Sequence, residues 1–364
     1  KNSLKQRNNF FFFFFFILFL CFVKLKALSL HIKSIKNMAL IKSISGFRGT
    51  IGGKTNDGLT PIDTVKFVSA FAAFIKETYN KENIKIVLGR DARVSGEMVS
   101  HLVVGTLMGM GVDVIDTGLS TTPTVEVAVT EKQADAGIIL TASHNPMQWN
   151  ALKFLNAKGE FISASEGKRV LELAASEDFL FAEVDKLGHC TSDTTTIDMH
   201  IEKVLALDLV DVEAIKRANF KVAYDAVCST GGLVLTKLLN ALGVQQVVAL
   251  NPEPTGLFPH NPEPLPENIT QICEEVVKQG CDVGFIVDPD VDRLAIVCEN
   301  GKPFVEEYTL VSVADYVLDH TSGATVSNMS STKALRDVTE AKGQRYFASA
   351  VGEVNVVEKM KEMN

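Results

Sequence analysis

The feature that most constrains the fold of this chain is a strand–loop–helix–glycine–strand unit that occurs three times. The copies run over residues 85–115, 221–250 and 324–348. In each copy a glycine ends the helix before the second apolar strand begins. Such a connection joins parallel strands by a right-handed crossover. We therefore predict tandem related α/β domains with mixed, mostly parallel sheets. The glycines are Gly111, Gly243 and Gly343.

Composition and charge argue against two classes of partner. The 364 residues are 46% hydrophobic and 22% charged, which are globular values that leave room for two or three domains. From Met38 onward, 29 Lys and Arg stand against 44 Asp and Glu, a net charge of −15. A body this acidic disfavours nucleic acid and anionic membranes. It does not argue against a small anionic ligand that a few local Arg and Lys side chains recognise.

The cysteines predict a reducing compartment. They form no Cys-x-x-Cys pair and show no zinc spacing, so lone thiols in a cytoplasmic protein are the expected interpretation. They are Cys21, Cys190, Cys228, Cys273, Cys281 and Cys298.

The amino-terminal region differs from the rest of the chain. Phe10–Val23 is an apolar run of 14 residues flanked by basic residues. It is short for a membrane span, which needs about 20 residues, and no convincing signal cleavage site follows. We predict that residues 1–37 are a low-complexity extension outside the fold and that the protein starts at Met38. A membrane tether is the alternative.

Ser143 lies in a polar turn, Thr141–Pro146, directly after the apolar strand Ala136–Leu140. Its hydroxyl is therefore expected at the end of a strand, where open α/β sheets hold their ligands. The chain has no Gly-x-Ser-x-Gly elbow here, so an esterase-type nucleophile is not indicated. A capped structural loop is the alternative.

A second motif places Asp288, Asp290 and Asp292 between two apolar strands, Phe285–Val287 and Leu294–Val297. Three carboxylates at alternate positions direct oxygen ligands to one place, and such ligands suit Mg²⁺. Without a cation, carboxylates this close would repel one another. A solvated acidic turn is the alternative, and the pattern lacks the glycine and glutamate of an EF-hand.

With these two motifs the chain resembles the α-D-phosphohexomutase family of phosphoglucomutases, phosphomannomutases and phosphoglucosamine mutases. The resemblance runs from about Ile41 to the last residue and is nearest in character to the phosphoglucosamine mutases. Val291 stands where the family pattern has Ala or Gly, and its side chain is expected to point away from the metal. The other motifs that carry the resemblance are Ser45–Thr50, Gly89–Arg93, Asn150–Lys153 and Val351–Met360.

The resemblance implies a phosphorylated serine at Ser143. It would donate its phosphoryl group to a hexose monophosphate, give a hexose 1,6-bisphosphate intermediate, and then take back the other phosphate. The net reaction moves phosphate between C6 and C1, most specifically between glucosamine 6-phosphate and glucosamine 1-phosphate, with mannose or glucose phosphates as the alternative. One Mg²⁺, held by Asp288, Asp290, Asp292 and the Ser143 group, would neutralise the phosphate oxygens.

Other site residues follow from the same resemblance. Arg48 is expected to act as an electrostatic clamp on the transferring phosphate, because Arg is effectively always charged. Lys153 would serve as the acid or base if neighbouring cations depress its pKa; an ordinary surface lysine is the alternative. His144 would contact the sugar or phosphate, or make a structural hydrogen bond.

A further group is predicted to bind substrate or phosphate: Arg293, Asn145 and Arg90. Arg293 is expected to pair with the aspartates or with the phosphoserine. Arg90 also belongs, with Asp91 and Arg93, to a group that would either brace the site or, as the favoured alternative, form a helix-capping network.

The resemblance also predicts the domain organisation. Domain I would span 38–190 with the phosphoserine loop, domain II 191–300 with the metal-binding loop, and an incomplete domain III 301–364. Domain IV and the sugar-recognition loop before it would be absent. An inactive phosphosugar-binding fragment is therefore an alternative function. A dehalogenase-like phosphatase is disfavoured, because it needs its aspartates early in the domain and has no use for Ser143.

Overall fold

The computed structural model describes residues 39–43 and 46–363. The apolar run Phe10–Val23, the proposed start at Met38 and the motif residue Ser45 lie outside the described residues. None of the helices in the described part has both the length and the apolar character that a membrane crossing requires.

The first unit is built on a mixed sheet of seven strands in the order β1-β2-β6-β5-β3-β4-β7. Strands β5, β3, β4 and β7 are parallel, whereas β1, β2 and β6 extend the sheet beyond β5 by antiparallel pairing. The elements are β1 (Leu40–Ser43), β2 (Gly46–Thr50), α1 (Pro61–Tyr79), β3 (Ile84–Arg90), α2 (Gly96–Gly109), β4 (Val112–Leu119), α3 (Thr122–Glu131), β5 (Ala136–Leu140), β6 (Trp149–Leu155), α4 (Ala164–Ser176) and β7 (Cys190–Ser192).

Helices cover both faces of this sheet. Along β3, Ile86 and Leu88 pack in one hydrophobic cluster, whereas Val87 packs with Val125 of α3 on the opposite face. Successive side chains of a strand point to opposite faces, so a strand buried on both faces reads as a continuous apolar run. Every residue of β5 is buried for the same reason.

Local signals set the start of helix α1. Thr60 precedes Pro61 and forms a capping box with Asp63, in which each side chain meets the other residue's backbone N–H. The box satisfies donors that the first helical turn would leave unpaired, and proline is well suited to the first helical position.

The second unit has a five-stranded mixed sheet in the order β12-β11-β10-β8-β9. Strands β10, β8 and β9 are parallel, and β11 and β12 continue the sheet by antiparallel pairing. The elements are α5 (Thr196–Leu205), α6 (Val212–Ala218), β8 (Lys221–Asp225), α7 (Gly231–Ala241), β9 (Gln246–Leu250), α8 (Thr270–Gln279), β10 (Val283–Val287), β11 (Leu294–Cys298) and β12 (Pro303–Phe304).

The third unit, as far as the structure describes it, has two parallel strands between helices. Val311, Ala314 and Leu335 form its small buried cluster. Its elements are α9 (Glu306–His320), β13 (Thr325–Asn328), α10 (Ala334–Ala341), β14 (Tyr346–Ser349) and α11 (Glu353–Met363).

The predicted α/β architecture is confirmed, and each of the three strand–helix–strand units is present with parallel strands. The expected end of domain I at residue 190 falls at the start of the polar strand β7, which pairs with β4. The first sheet therefore extends to Ser192, two residues beyond the expected boundary at 190, because backbone pairing does not require apolar side chains.

Candidate active site

Ser143 sits at the centre of the site, in the turn that follows β5. The residue is 5% exposed, and its backbone has a φ of 50°. Left-handed backbone is costly for a residue with a Cβ and tends to persist where the surroundings enforce it, often at functional sites. The backbone N–H of Ser143 donates to Thr141 Oγ1 at 2.9 Å, which helps to hold the turn.

The buried guanidinium of Arg93 braces this turn. It donates to the carbonyl oxygens of Ser143, Asn145, Pro146 and Trp149. Arg93 is 1% exposed, so these bonds form where water cannot replace them. One side chain thus donates to four backbone carbonyls, three in or at the end of the serine turn and one at the start of β6.

Asp91 completes the brace. Its carboxylate accepts from Arg93 Nε at 2.9 Å and from Thr141 Oγ1 at 2.7 Å. Burial raises the pKa of Asp91, and the Arg93 charge opposes that shift. The favoured helix-capping interpretation was therefore wrong for Asp91 and Arg93: helix α2 begins without a side-chain cap at Ser95, and the pair binds the serine turn instead.

Arg90 is not part of this brace. Its guanidinium donates to the Asp91 carbonyl oxygen and lies against Gly96. Within the described residues no hydrogen bond joins it to the Ser143 turn or to the aspartates, so a phosphate-binding role for Arg90 has no geometric support.

The three aspartates converge as the sequence predicts. Asp288, Asp290 and Asp292 are buried, and one carboxylate oxygen from each lies within 4.8 Å of the others. Burial raises the pKa of Asp288 well above its usual range, and repulsion from Asp292 and Asp290 adds to the shift. Asp288 Oδ1 accepts from the backbone N–H groups of Asp292 and Arg293, both at 3.1 Å.

Asp290 supplies the test of whether this cluster fits a metal ion. Its Oδ1 is buried and has no hydrogen-bond partner among residues 39–43 and 46–363. A buried acceptor without a partner is costly, and here it stands beside two further carboxylates. Oxygen ligands of this kind suit a hard divalent cation, so the residues present fit Mg²⁺.

The serine and the metal motif meet directly. Ser143 Oγ donates to Asp288 Oδ2 at 2.7 Å and lies 3.4 Å from Asp292 Oδ1. Two loops at the ends of β5 and β10, in different sheets, are thereby brought to one place.

Val291 turns the aspartate loop at a conformational cost. It has a φ of 60°, which is unfavourable for a β-branched residue. Its buried side chain packs in the core cluster that includes Phe285 and Leu294, which is consistent with the prediction that it points away from the metal site.

The aspartate loop is held by the second unit's first crossover. Ser229 Oγ and Thr230 Oγ1 donate to the Pro289 carbonyl oxygen at 2.7 and 2.8 Å. Ser229 Oγ also accepts from the backbone N–H of Ala92 at 3.3 Å. These contacts tie the loop to the segment that carries Arg93.

Lys153, on β6, reaches the aspartates. Its Nζ lies 2.8 Å from Asp290 Oδ2 and 3.2 Å from Asp292 Oδ2. The surface-lysine alternative is excluded by this position. The contacts of its Nζ in the described residues are thus to carboxylates of the proposed metal site.

The other side of the site is formed by Arg48, His144 and Asn145. Arg48 Nη1 donates to Asn145 Oδ1 at 2.7 Å, and burial lowers the pKa of Arg48. His144 Nδ1 lies 3.3 Å from Ser143 Oγ. Burial, with the nearby Arg293 and Arg48 charges, lowers the pKa of His144 to about 3, so its imidazole is neutral near pH 7.

Arg293 has a partner that the sequence did not indicate. Its guanidinium pairs with Glu263 at 3.2 Å rather than with an aspartate of the cluster. Glu263 lies in the proline-rich loop 251–266 and also stands 4.0 Å from His144 Nε2. The only available signal was the unusual length of that loop, which is typical of functional segments.

Comparison with known proteins assigns the family. Models described as phosphoglucomutase/phosphomannomutase alpha/beta/alpha domains I, II and III match residues 40–181, 198–301 and 306–364. A phosphoglucomutase/phosphomannomutase of Thermococcus kodakarensis is 36% identical over 320 residues, which are 87% of this chain and 69% of that protein.

Two further matches agree with this assignment. A probable phosphoglucosamine mutase of Methanococcoides burtonii is 29% identical over 85% of this chain and 69% of its own length. The crystal structure of a putative phosphomannomutase from Thermus thermophilus superposes with a TM-score of 0.79 at 25% identity, covering 89% of this chain and 72% of that one. The chain belongs to the phosphoglucomutase/phosphomannomutase family, the α-D-phosphohexomutases, which are isomerases that act as intramolecular phosphotransferases.

Proposed function

We propose that Ser143 is the phosphoryl carrier of this phosphohexomutase and that Asp288, Asp290 and Asp292 hold its Mg²⁺. The observation that carries the proposal is the 2.7 Å contact between Ser143 Oγ and Asp288 Oδ2 beside the unpaired Asp290 oxygen. A phosphate on Ser143 would enter a pocket that already directs carboxylate oxygens at a cation site.

The proposed transfer is reversible. Phosphoserine 143 gives its phosphoryl group to the free hydroxyl of a hexose monophosphate: the serine O–P bond breaks, a sugar O–P bond forms, and the hydroxyl proton leaves to a nearby base. The bisphosphate then returns its other phosphoryl group to Ser143. Bound Mg²⁺ supplies charge neutralisation at the phosphate oxygens, which is the main requirement of phosphoryl transfer.

This chain's own side chains divide the remaining work. Arg48 stays cationic and is proposed to clamp the phosphate, with Asn145 orienting its guanidinium. Lys153 is proposed to exchange a carboxylate contact for the sugar hydroxyl and to assist the proton transfer. His144, neutral at pH 7, is proposed to contact phosphate or sugar through a ring nitrogen.

For the substrate we propose glucosamine 6-phosphate and glucosamine 1-phosphate. The resemblance of the motifs and the match to a probable phosphoglucosamine mutase favour this choice. Mannose and glucose phosphates are the second candidate, because the 36% identical relative carries the name phosphoglucomutase/phosphomannomutase. The partners would thus be small hexose phosphates in the cytoplasm.

For the domain organisation we propose one domain around each sheet: 38–190, 191–300 and 301–364, with the first sheet running on to Ser192. In that arrangement the serine turn and the aspartate loop come from different domains. The active site would lie where the first two domains meet.

The decisive experiment is peptide mass mapping after incubation with MgCl₂ and glucose 1,6-bisphosphate. Phosphate on Ser143 is expected in the wild type and is expected to be lost in Ser143→Ala. Ser176→Ala, at the end of helix α4, is the matched control and should still be phosphorylated at Ser143. A folded wild type that acquires phosphate elsewhere, or none, would refute the carrier assignment.

Substrate choice needs a second assay. The phosphorylated protein is offered glucosamine 6-phosphate, mannose 6-phosphate and glucose 6-phosphate in parallel, and the loss of the Ser143 phosphate is timed. Fastest loss to glucosamine 6-phosphate is expected. Faster loss to mannose 6-phosphate or to glucose 6-phosphate would favour the second candidate.

A further inference from the structure

Thr122, the first residue of helix α3, contacts the metal-binding loop of the second unit. Its Oγ1 donates to Asp290 Oδ2 at 2.6 Å. Its backbone N–H donates to the Asp290 carbonyl oxygen at 2.8 Å. Thr122 is buried, so it holds both the backbone and the carboxylate of Asp290 without competition from water.

The two carboxylate oxygens of Asp290 have different surroundings. Oδ2 accepts from Thr122 Oγ1 and from Lys153 Nζ, and both donors come from the first unit. Oδ1 is buried, and none of the residues that the structure describes offers it a hydrogen bond. The rotation of the carboxylate is therefore set from the first unit, and Oδ1 remains available for a cation.

We propose that Thr122 is a positioning residue for the metal site: its hydroxyl orients Asp290 so that Oδ1 is the ligand. This rests on the proposed assignment of the aspartates to Mg²⁺. The role of Thr122 makes Mg²⁺ affinity depend on the contact between the two units, because Thr122 lies in the first unit and Asp290 in the second. Hydrogen-bonding partners of ligating carboxylates commonly contribute about 10- to 100-fold to metal affinity.

Thr122 is suited to this role because its helix terminus is held firmly. Thr121 caps α3 by accepting from the Thr124 backbone N–H at 3.2 Å. The buried Val125 anchors the first turn in the core. A donor on such a support holds its partner within a narrow range of positions.

The experiment compares hydroxyl removal at two buried threonines of one helix. MgCl₂ is titrated calorimetrically into the full chain after its phosphorylation state has been matched by mass spectrometry. Thr122→Val is expected to weaken Mg²⁺ binding by roughly 10- to 100-fold, and Thr122→Ser, which keeps the hydroxyl, should bind like the wild type. Thr124→Val is the control, because it loses a buried hydroxyl two residues away that does not touch Asp290.

A denaturation curve of each variant in EDTA separates positioning from stability. The proposal requires that Thr122→Val binds Mg²⁺ weakly and that Thr124→Val binds it like the wild type, even if both variants lose the same amount of stability. If Thr122→Val does not fold, Thr122→Ala is measured in its place. Unchanged Mg²⁺ affinity in Thr122→Val, or equal weakening in Thr124→Val, would overturn the role of Thr122 alone. Absence of Mg²⁺ binding in the wild type would instead overturn the metal assignment and this inference with it.

Discussion

Ser143 Oγ lies 2.7 Å from Asp288 Oδ2, although 145 positions separate the two residues in the chain. The serine belongs to a turn of the first unit and the aspartate to a loop of the second. The contact joins the proposed phosphoryl carrier to the proposed metal site. The effect of the buried charges of this pocket on stability can therefore be tested by mutating its residues and measuring unfolding in EDTA.

Asp288→Asn should stabilise the metal-free protein. Burial raises the pKa of Asp288, and two further carboxylates repel its charge. An uncharged isostere relieves both effects, so we expect the free energy of unfolding in EDTA to rise by about 0.5–2 kcal/mol, the usual range for a single stabilising substitution. Mg²⁺ should then stabilise the variant less than the wild type. The control is Asp208→Asn at an exposed position, and a loss of stability in EDTA would contradict the prediction.

Arg93→Met should destabilise the fold strongly. The change leaves the Asp91 carboxylate buried without its partner and deprives four carbonyl oxygens of a donor. Breaking a buried ion pair from one side costs about 3–5 kcal/mol, measured here by urea denaturation. Arg90→Met, in the neighbouring arginine, should cost much less.

The double variant Asp91→Asn/Arg93→Met provides a further check on the buried pair. It removes both charges at once, so its loss of stability should be smaller than the sum of the two single losses. Additive losses would mean that the two side chains do not act as a pair.

His200 should make stability depend on pH. Burial lowers the pKa of His200 from 6.5 to about 4. Between these values the unfolded chain binds a proton that the folded chain does not, so stability falls as the pH is lowered from about 6.5 to about 4. At about 1.4 kcal/mol per pKa unit the effect is on the order of 3 kcal/mol.

The comparison for this prediction is His200→Gln. This variant should lack the loss of stability between about pH 6.5 and about pH 4 that His200 causes. His189→Gln is the matched control, because the His189 side chain is 89% exposed. Equal pH profiles for the wild type and His200→Gln would show that His200 titrates alike in both states.

Glu263→Gln should slow phosphoryl transfer to Ser143. Glu263 pairs with the cationic Arg293 and stands 4.0 Å from Nε2 of the neutral His144, so its carboxylate helps to place both side chains near the serine. Misplacing groups around a reacting centre can cost up to about 100-fold in rate, and we expect roughly a 10-fold decrease in the rate of Ser143 phosphorylation. Glu267→Gln, an exposed neighbour in sequence, should react at the wild-type rate. A wild-type rate in Glu263→Gln would exclude the positioning role.

Local pattern was sufficient for the architecture and for the two loops that carry the chemistry. Strand and helix periodicity, with a glycine after each helix, is a property of neighbouring residues, and it predicted the three parallel units correctly. The Ser143 turn and the three aspartates were also visible, because each lies directly after an apolar strand. The expected start at Met38 and the extension before it stay predictions, since they lie outside the described residues.

The partners of the site residues could not be found in this way. Arg93 joins carbonyls 50 to 56 positions away, and Thr122 meets Asp290 across 168 positions. Nothing near Arg93 in the sequence distinguishes a brace from a helix cap, and nothing near Arg293 points to Glu263. The sequence by itself determined which strands and loops form and which side chains stand at their ends. Only the tertiary structure decided which of those side chains meet, because the packing of the first unit against the second sets contacts that no local pattern encodes.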